Sequence, residues 1–177
     1  MSELTLARAK KGDPKAFEEL ILPYEKLVLN IAYKYMGNLE DARDVAQEAI
    51  LKVYRNIKTC KTVSSFKAWI CKITMNAAID ACRKRKVIYE DLSDNLASSG
   101  EGPEEEVLRM EERAQLMEAL GSLPDDAKAL IILRDMQGLS YEEISEVLNC
   151  PMGTVSSKLS RARKQMRKAL GKFEGKD

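Results

Sequence analysis

The sequence predicts an all-α protein of two small helical domains joined by a flexible acidic linker. Ala, Leu, Glu, Lys and Arg abound while the 177 residues include only 9 Gly and 5 Pro, a composition of strong helix formers. Apolar residues recur at intervals of three and four with no alternation of period two, which is the signature of one buried helical face. Between Tyr89 and about Pro103 that periodicity fails and Ser, Gly, Asp and Glu take over, as in a linker that has no core to join.

Taken in chain order, the first helix is the short amphipathic stretch before Lys11. Asp13-Pro14 then pairs an N-cap with a proline at the first helical position. It opens a stripe of Phe17, Leu20, Ile21, Tyr24, Leu27, Val28, Ile31 and Tyr35, with Pro23 predicting a break near Leu22. Gly37-Asn38 ends that run and caps the next, in which Ala42, Val45, Ala46, Ala49, Ile50, Val53, Tyr54 and Ile57 form a second core-facing stripe. After a polar loop from Lys58 to Ser64, a third long helix starts near Ser65. It carries Phe66, Trp69, Ile70, Ile73 and Ala77 before the basic run Arg83-Lys84-Arg85-Lys86. Three long stripes and one short helix suffice for a compact bundle.

Helical spacing resumes with Val107, Met110, Ala114, Met117 and Leu120, stops at Gly121-Ser122-Leu123-Pro124, and restarts through Ala127, Leu130, Ile131 and Arg134 to Gly138. Ser140-Tyr-Glu-Glu143 fits a capping box, in which Ser140 accepts from the Glu143 N–H and the Glu143 side chain reaches back. The helix it opens ends at Asn149-Cys150-Pro151, and a long helix follows from Gly153-Thr154 to about Leu170. Ile144, Leu148, Val155 and Leu159 sit where two such crossing helices bury them. The long helix presents Lys158, Arg161, Arg163, Lys164, Arg167, Lys168 and Lys172 with no acidic residue from Gly153 to Lys172. This is a helix-turn-helix whose second helix suits phosphates and base edges. The expected domains are 1–88 and 107–172, with the acidic linker at 89–106.

A formal charge of +1 hides a strong segregation. Residues 1–88 hold 17 Lys/Arg and 10 Asp/Glu, residues 89–112 hold 1 and 9, and residues 113–177 hold 11 and 9. Two basic bodies on an acidic strap point to a polyanion at both ends, although a solvated linker would have the same composition. The chain has no histidine, and Cys60, Cys71, Cys82 and Cys150 form no C-x-x-C, so a Cys/His zinc site is excluded and no metal or cofactor is implied. Cys60, Cys71 and Cys82 recur every eleven residues, three helical turns, but free cysteine is usually a small buried hydrophobe. A Walker glycine loop and a nucleophile elbow are both lacking, so the reading is not an enzyme. No apolar run approaches the roughly 20 residues of a membrane span, and the N-terminus is not a signal peptide, so a cytoplasmic protein is expected.

The motifs make the reading specific. Ser122-Leu-Pro-Asp-Asp-Ala, Leu139-Ser-Tyr-Glu-Glu-Ile-Ser, Cys150-Pro-Met-Gly-Thr-Val and Ser160-Arg-Ala-Arg together resemble region 4 of the extracytoplasmic-function (ECF) sigma factors, and LuxR-type activators share part of the pattern. Asp41-Ala-Arg-Asp44-Val-Ala-Gln47-Glu48-Ala resembles sigma region 2.2, and the run from Phe66 to Arg85 resembles regions 2.3 and 2.4. The likeness covers about residues 4–87 and 105–170.

It implies a bacterial factor for stress-responsive transcription initiation, without a small-molecule substrate or membrane insertion. Asp44, Gln47 and Glu48 would grip the β′ clamp helices of core RNA polymerase, and the second domain would also meet the β flap. The loop Lys58, Thr59, Cys60, Lys61, Thr62, Val63 and Ser64 would capture a base flipped from the −10 element, where Cys60 replaces a frequent aromatic and Thr62 a frequent Gly. Asn76, Asp80, Arg83 and Lys84 share one helix face that would hold −10 DNA. Thr154, Ser156, Ser157, Lys158, Ser160 and Arg161 would meet the −35 element, with Ser156 at a position commonly Lys or Arg. An anti-sigma factor, often membrane-bound, is implied as a partner. A stand-alone regulator would use the same helix-turn-helix as a dimer on palindromic half-sites, and a partner-sequestering module would make the basic helix incidental. Only the sigma reading requires the Asp44, Gln47 and Glu48 face.

Overall fold

The computed structural model describes residues 2–89 and 104–171, with side chains at 2–85 and 111–171. Among the described residues every regular element is helical. In the N-terminal bundle these are α1 (Glu3–Lys10), α2 (Pro14–Ile21), α3 (Glu25–Met36), α4 (Leu39–Asn56) and α5 (Phe66–Tyr89). The C-terminal domain has α6 (Glu104–Gly121), α7 (Asp125–Ile131), α8 (Tyr141–Leu148) and α9 (Met152–Leu170). The acidic stretch expected as a linker lies mostly outside the described residues.

Local chemistry sets the boundaries. Asp13 caps α2 by accepting from the backbone N–H groups of Lys15 and Ala16, and Pro23 falls in a 3-10 turn, Leu22–Tyr24, that separates α2 from α3. Gly37 ends α3 at φ 85°, a left-handed conformation that costs glycine little, and Asn38 caps α4 through the Asp41 N–H. Both halves of the Ser140–Glu143 capping box are formed. Several boundaries move from their predicted places; α6, for one, begins at Glu104, inside the stretch 89–106 expected as linker. The segment Ile57–Thr59 is a 3-10 turn, so the loop proper begins at Cys60, and α9 starts at Met152 behind Pro151 rather than at Gly153.

α5 is the hub: it packs on α3 and α4 on one side and on α8 on another. Its burial is therefore wider than the predicted stripe. Phe66, Ile70 and Ala77 are buried as expected, but so are Cys71, Thr74, Met75 and Ala78, because a helix enclosed by neighbours needs more than one apolar face. The buried Thr74 hydroxyl donates to the Ile70 carbonyl at 2.9 Å, which satisfies it without an outside partner. In the C-terminal domain Ile144, Val155 and Leu159 are buried between α8 and α9, as their spacing predicts, and Leu148 is half-buried.

The two domains are in contact. α8 lies along α5, and α6 touches α3. Lys67 of α5 donates to the Gln137 carbonyl at 2.7 Å. Lys128 lies 5.3 Å above the Tyr35 ring and Arg113 5.3 Å above the Tyr33 ring, cation–π pairs that tie α7 and α6 to α3.

Candidate nucleic-acid interface

Asp44, Gln47 and Glu48 are exposed on α4, whose opposite side buries Val45, Ala46 and Ala49. Glu48 accepts from Lys52 at 2.8 Å, and this bond holds the Glu48 carboxyl below its usual range. Lys52 also lies 4.0 Å from Asp80 on α5. A single ammonium thus joins the predicted polymerase face to the predicted −10 face. Asn76, Asp80, Arg83 and Lys84 are all exposed, as a helix face at i, i+4, i+7 and i+8 should be.

In the loop before α5, Lys58, Thr59, Lys61, Thr62 and Ser64 are exposed and Val63 is half-buried. Ser65 braces the loop by donating twice to Thr62, its N–H to the Thr62 hydroxyl at 3.2 Å and its hydroxyl to the Thr62 carbonyl at 3.0 Å. Glu3, sixty residues away, accepts from the Val63 N–H at 2.8 Å. Cys60 departs from the rest. It is 1% exposed, and its thiol donates to the Thr62 carbonyl at 3.5 Å, so its side chain anchors the loop and offers nothing to a ligand.

The eleven-residue cysteine recurrence is likewise not one helical line, because Cys60 precedes α5 while Cys71 and Cys82 lie on it. Burial pushes the Cys60 thiol up and the Cys71 thiol up to about 12, the reverse of an activated thiolate. Among the described residues no group of His, Cys, Asp or Glu is placed to hold a metal.

Phe66 is fully buried and Trp69 half-buried, their rings 5.8 Å apart. Trp69 lines a groove of about 600 Å³ in which Thr59, Lys61, Ser65 and Lys72 face Glu142, Glu143 and Glu146 of α8. A second cavity, of about 280 Å³, brings Arg83 together with Asp125, Asp126 and Lys158. Both predicted DNA surfaces therefore border the contact between the domains, with carboxylates of the C-terminal domain opposite cations of the bundle.

On α9, Ser156, Ser157, Lys158, Ser160 and Arg161 are exposed and Thr154 is half-buried. Ser157 donates to the Thr154 carbonyl at 3.2 Å. Lys158 is held by Asp126 of α7 at 2.9 Å, which lowers the Asp126 carboxyl and raises the Lys158 ammonium. Arg163 is held by Asp135. Sequence reading counted both cations as offered to DNA and missed these partners, which stand 32 and 28 residues away.

The chain matches the description Sigma-70 region 2 over residues 20–87 and Sigma-70, region 4 over residues 113–166. It is 36% identical over 174 residues to the RNA polymerase sigma-H factor of Pseudomonas aeruginosa, covering 92% of this chain and 90% of that one. It is 32% identical over 181 residues to the ECF RNA polymerase sigma factor SigW of Bacillus subtilis, covering 96% and 97%. With the ECF RNA polymerase sigma-E factor of Escherichia coli it shares 34% identity over 172 residues, covering 91% and 90%. Among solved structures, the sigma factor RpoE of Bartonella quintana, in complex with the anti-sigma factor NepR, has the same fold. Its TM-score is 0.72 at 24% identity, over 89% of this chain and 98% of that one.

Proposed function

Because this chain belongs to the sigma-70 family of RNA polymerase sigma factors, in the ECF group, we propose that its exposed faces divide the work of promoter-specific initiation among named residues. The protein binds core RNA polymerase and directs transcription initiation through −10 and −35 recognition. Asp44, Gln47 and Glu48 dock on the β′ clamp helices, and the C-terminal domain also meets the β flap. The loop 58–64, with Asn76, Asp80, Arg83 and Lys84, holds the opened −10 element. Flipping a base out of its stack costs a few kcal/mol, and a loop braced by Thr62, Ser65 and Glu3 limits the further cost of ordering the pocket. Backbone groups and the hydroxyls of Thr59, Thr62 and Ser64 face the base, since Cys60 is turned inward.

Thr154, Ser156, Ser157, Lys158, Ser160 and Arg161 read the −35 duplex, with Arg161 forming no ion pair among the described residues while Lys158 does. Residues 1–88 and 107–172 act as the two working domains. The carboxylates of α8 face the −10 loop across the groove, so the domains part before both elements are engaged. An anti-sigma factor holds the protein in check, and the protein works in the cytoplasm; no described helix is long and apolar enough to cross a membrane. RNA synthesis is catalysed by the polymerase.

The observation that carries this reading is the pairing of two exposed polar faces on one bundle, α4 for polymerase and α5 for DNA, linked through Lys52. A stand-alone regulator needs no such α4 face. Purified core polymerase should yield specific transcripts from candidate promoters only when this protein is added. Equal transcript patterns with and without it, across the promoter set, would overturn the reading.

A further inference from the structure

The cavity of about 280 Å³ between the domains is walled by α3 and α5 of the bundle and by α7, α8 and α9 of the C-terminal domain. Ile79 of α5 faces Ala129, Leu130 and Leu148 across its apolar part. Tyr35, Arg83, Lys158, Asp125 and Asp126 make its polar part.

Tyr35 sets this cavity apart. The residue is 2% exposed, and its hydroxyl is a buried side-chain oxygen with no hydrogen-bond partner among the described residues. A buried hydroxyl left unpaired costs free energy that folded chains ordinarily avoid. The charges of Asp125, Arg83 and Asp126, all on the cavity walls, act on that hydroxyl, so it lies on the cavity side of the ring. Lys128, 5.3 Å above the ring, helps to hold it there. Burial, with the nearby Asp125 carboxylate, pushes the phenol up from its ordinary range, so the group keeps its proton and remains a donor that lacks an acceptor.

The charges around it are unevenly committed. Lys158 and Asp126 neutralise each other at 2.9 Å, and Asp125 is not without a partner. Arg83 forms no ion pair among the described residues, whereas Arg85, Lys158 and Arg163 each do. An unpaired guanidinium and an unpaired hydroxyl donor therefore stand together beside an apolar wall. A carboxylate accepts from both at once, and an aliphatic chain suits the wall. An apolar cavity of about 150 Å³ admits benzene, so this one has room for roughly ten non-hydrogen atoms.

We propose that this cavity binds a small aliphatic carboxylate, whose oxygens accept from the Tyr35 hydroxyl and the Arg83 guanidinium and whose chain lies on Ile79, Ala129, Leu130 and Leu148. Such a ligand touches both domains, so it binds while they are together and stabilises that state by mass action. It acts as a regulator and not as a substrate: Arg83 and Lys158 stay at the cavity, and each DNA surface is denied one cation. The site stands on the cavity alone, whereas its effect on DNA rests on the assignment of Arg83 to the −10 element and Lys158 to the −35 element.

The test titrates the full chain by calorimetry with hexanoate, hexanol, hexylamine and acetate at matched ionic strength. Hexanoate should bind with a dissociation constant on the order of a millimolar, as suits a ligand of about eight non-hydrogen atoms. It should bind about tenfold more tightly than the other three, which lack either the carboxylate or the chain. Tyr35→Phe keeps the cavity and should weaken hexanoate about tenfold, while the thermal midpoint of the unliganded variant stays at or above that of the wild type. Arg83→Gln should weaken hexanoate at least as much. Equal affinity for hexanoate, hexanol and hexylamine would overturn the proposal, as would no binding of hexanoate at tens of millimolar. So would a Tyr35→Phe chain that binds hexanoate like the wild type, or one that is less stable unliganded, since its hydroxyl would then have a partner already. At ten times its dissociation constant, hexanoate should weaken binding of a −35 duplex about tenfold in the wild type and about twofold in Tyr35→Phe. Hexanoate that binds as expected and leaves duplex affinity unchanged would instead overturn the assignment of Lys158 to the −35 surface.

Discussion

In the C-terminal domain Lys158 and Arg163 of α9 are tied to Asp126 and Asp135 of the same domain, whereas in the bundle Lys10, Lys11, Arg55 and Lys58 surround a groove without an ion pair among the described residues. The two basic regions look alike in composition and differ in what their charges are free to do. On α9 part of the charge fastens the reading helix to α7 and to the turn that follows it, so a count of its cations overstates what it offers to phosphate. In the bundle, the cations of the groove are open to an outside anion. A phosphate that meets Lys158 has to displace Asp126 or share its ammonium, and one that meets Lys11 does not.

The largest effect expected from this difference concerns the polymerase face. Gln47→Ala/Glu48→Ala should weaken core binding about five- to hundredfold, since truncating side chains at the centre of an interface costs about 1–3 kcal/mol. Titration of labelled core polymerase measures this. Binding of the −35 duplex by the same variant should stay within about twofold, as for sites without shared partners.

A smaller effect should separate the two domains as folding units. Ser140→Ala, which removes the cap of α8, should destabilise the C-terminal domain by about 0.5–2 kcal/mol, and Asp13→Ala should do the same to the bundle through α2. Trp69, the only tryptophan, borders α8, so its emission reports the contact between domains during denaturant unfolding. Ser140→Ala should shift that signal at lower denaturant than Asp13→Ala does. A larger or equal shift from Asp13→Ala would mean that the bundle, and not the helix-turn-helix, controls the contact.

Asp126→Asn tests the paired charge directly. The pair is exposed, so stability should fall by less than about 1 kcal/mol. Freed Lys158 should tighten −35 duplex binding a few-fold at low salt and steepen its salt dependence by about 0.9. An unchanged slope would remove Lys158 from the DNA surface.

The last effect is with pH and is confined to alkaline solution. The buried Cys71 thiol is pushed up to about 12 from an ordinary 9.0, so the folded chain keeps a proton that the unfolded chain loses. Its contribution to stability is full below about pH 9 and declines as pH rises towards 12. Denaturant midpoints should fall over that range and fall less in Cys71→Ala; identical slopes would contradict the burial of that thiol.

Much of the fold was legible because its signals are local. The Asp13-Pro14 cap, the break at Pro23, the Gly37-Asn38 junction and the Ser140–Glu143 box are decided within four residues, and the structure forms each one. The exposed faces of α4 and α5 were also legible, since a helix fixes which residues share a side. Long-range partners were not. Nothing near Lys158 announces Asp126, and nothing near Val63 announces Glu3. The inward turn of Cys60 and the outward turn of Tyr54 depend on where α1 and α2 lie. The burial of Thr74 and Met75 off the predicted stripe required knowing that α8 covers a second side of α5.

The most direct measurement of the division between polymerase-binding and DNA-reading surfaces is Arg161→Ala, assayed for promoter-specific transcription and for core binding on one preparation. Loss of a base or phosphate contact worth about 1–3 kcal/mol should lower promoter use about five- to hundredfold, with core affinity within about twofold of the wild type. An equal loss of both activities would contradict the assignment of α9 to DNA.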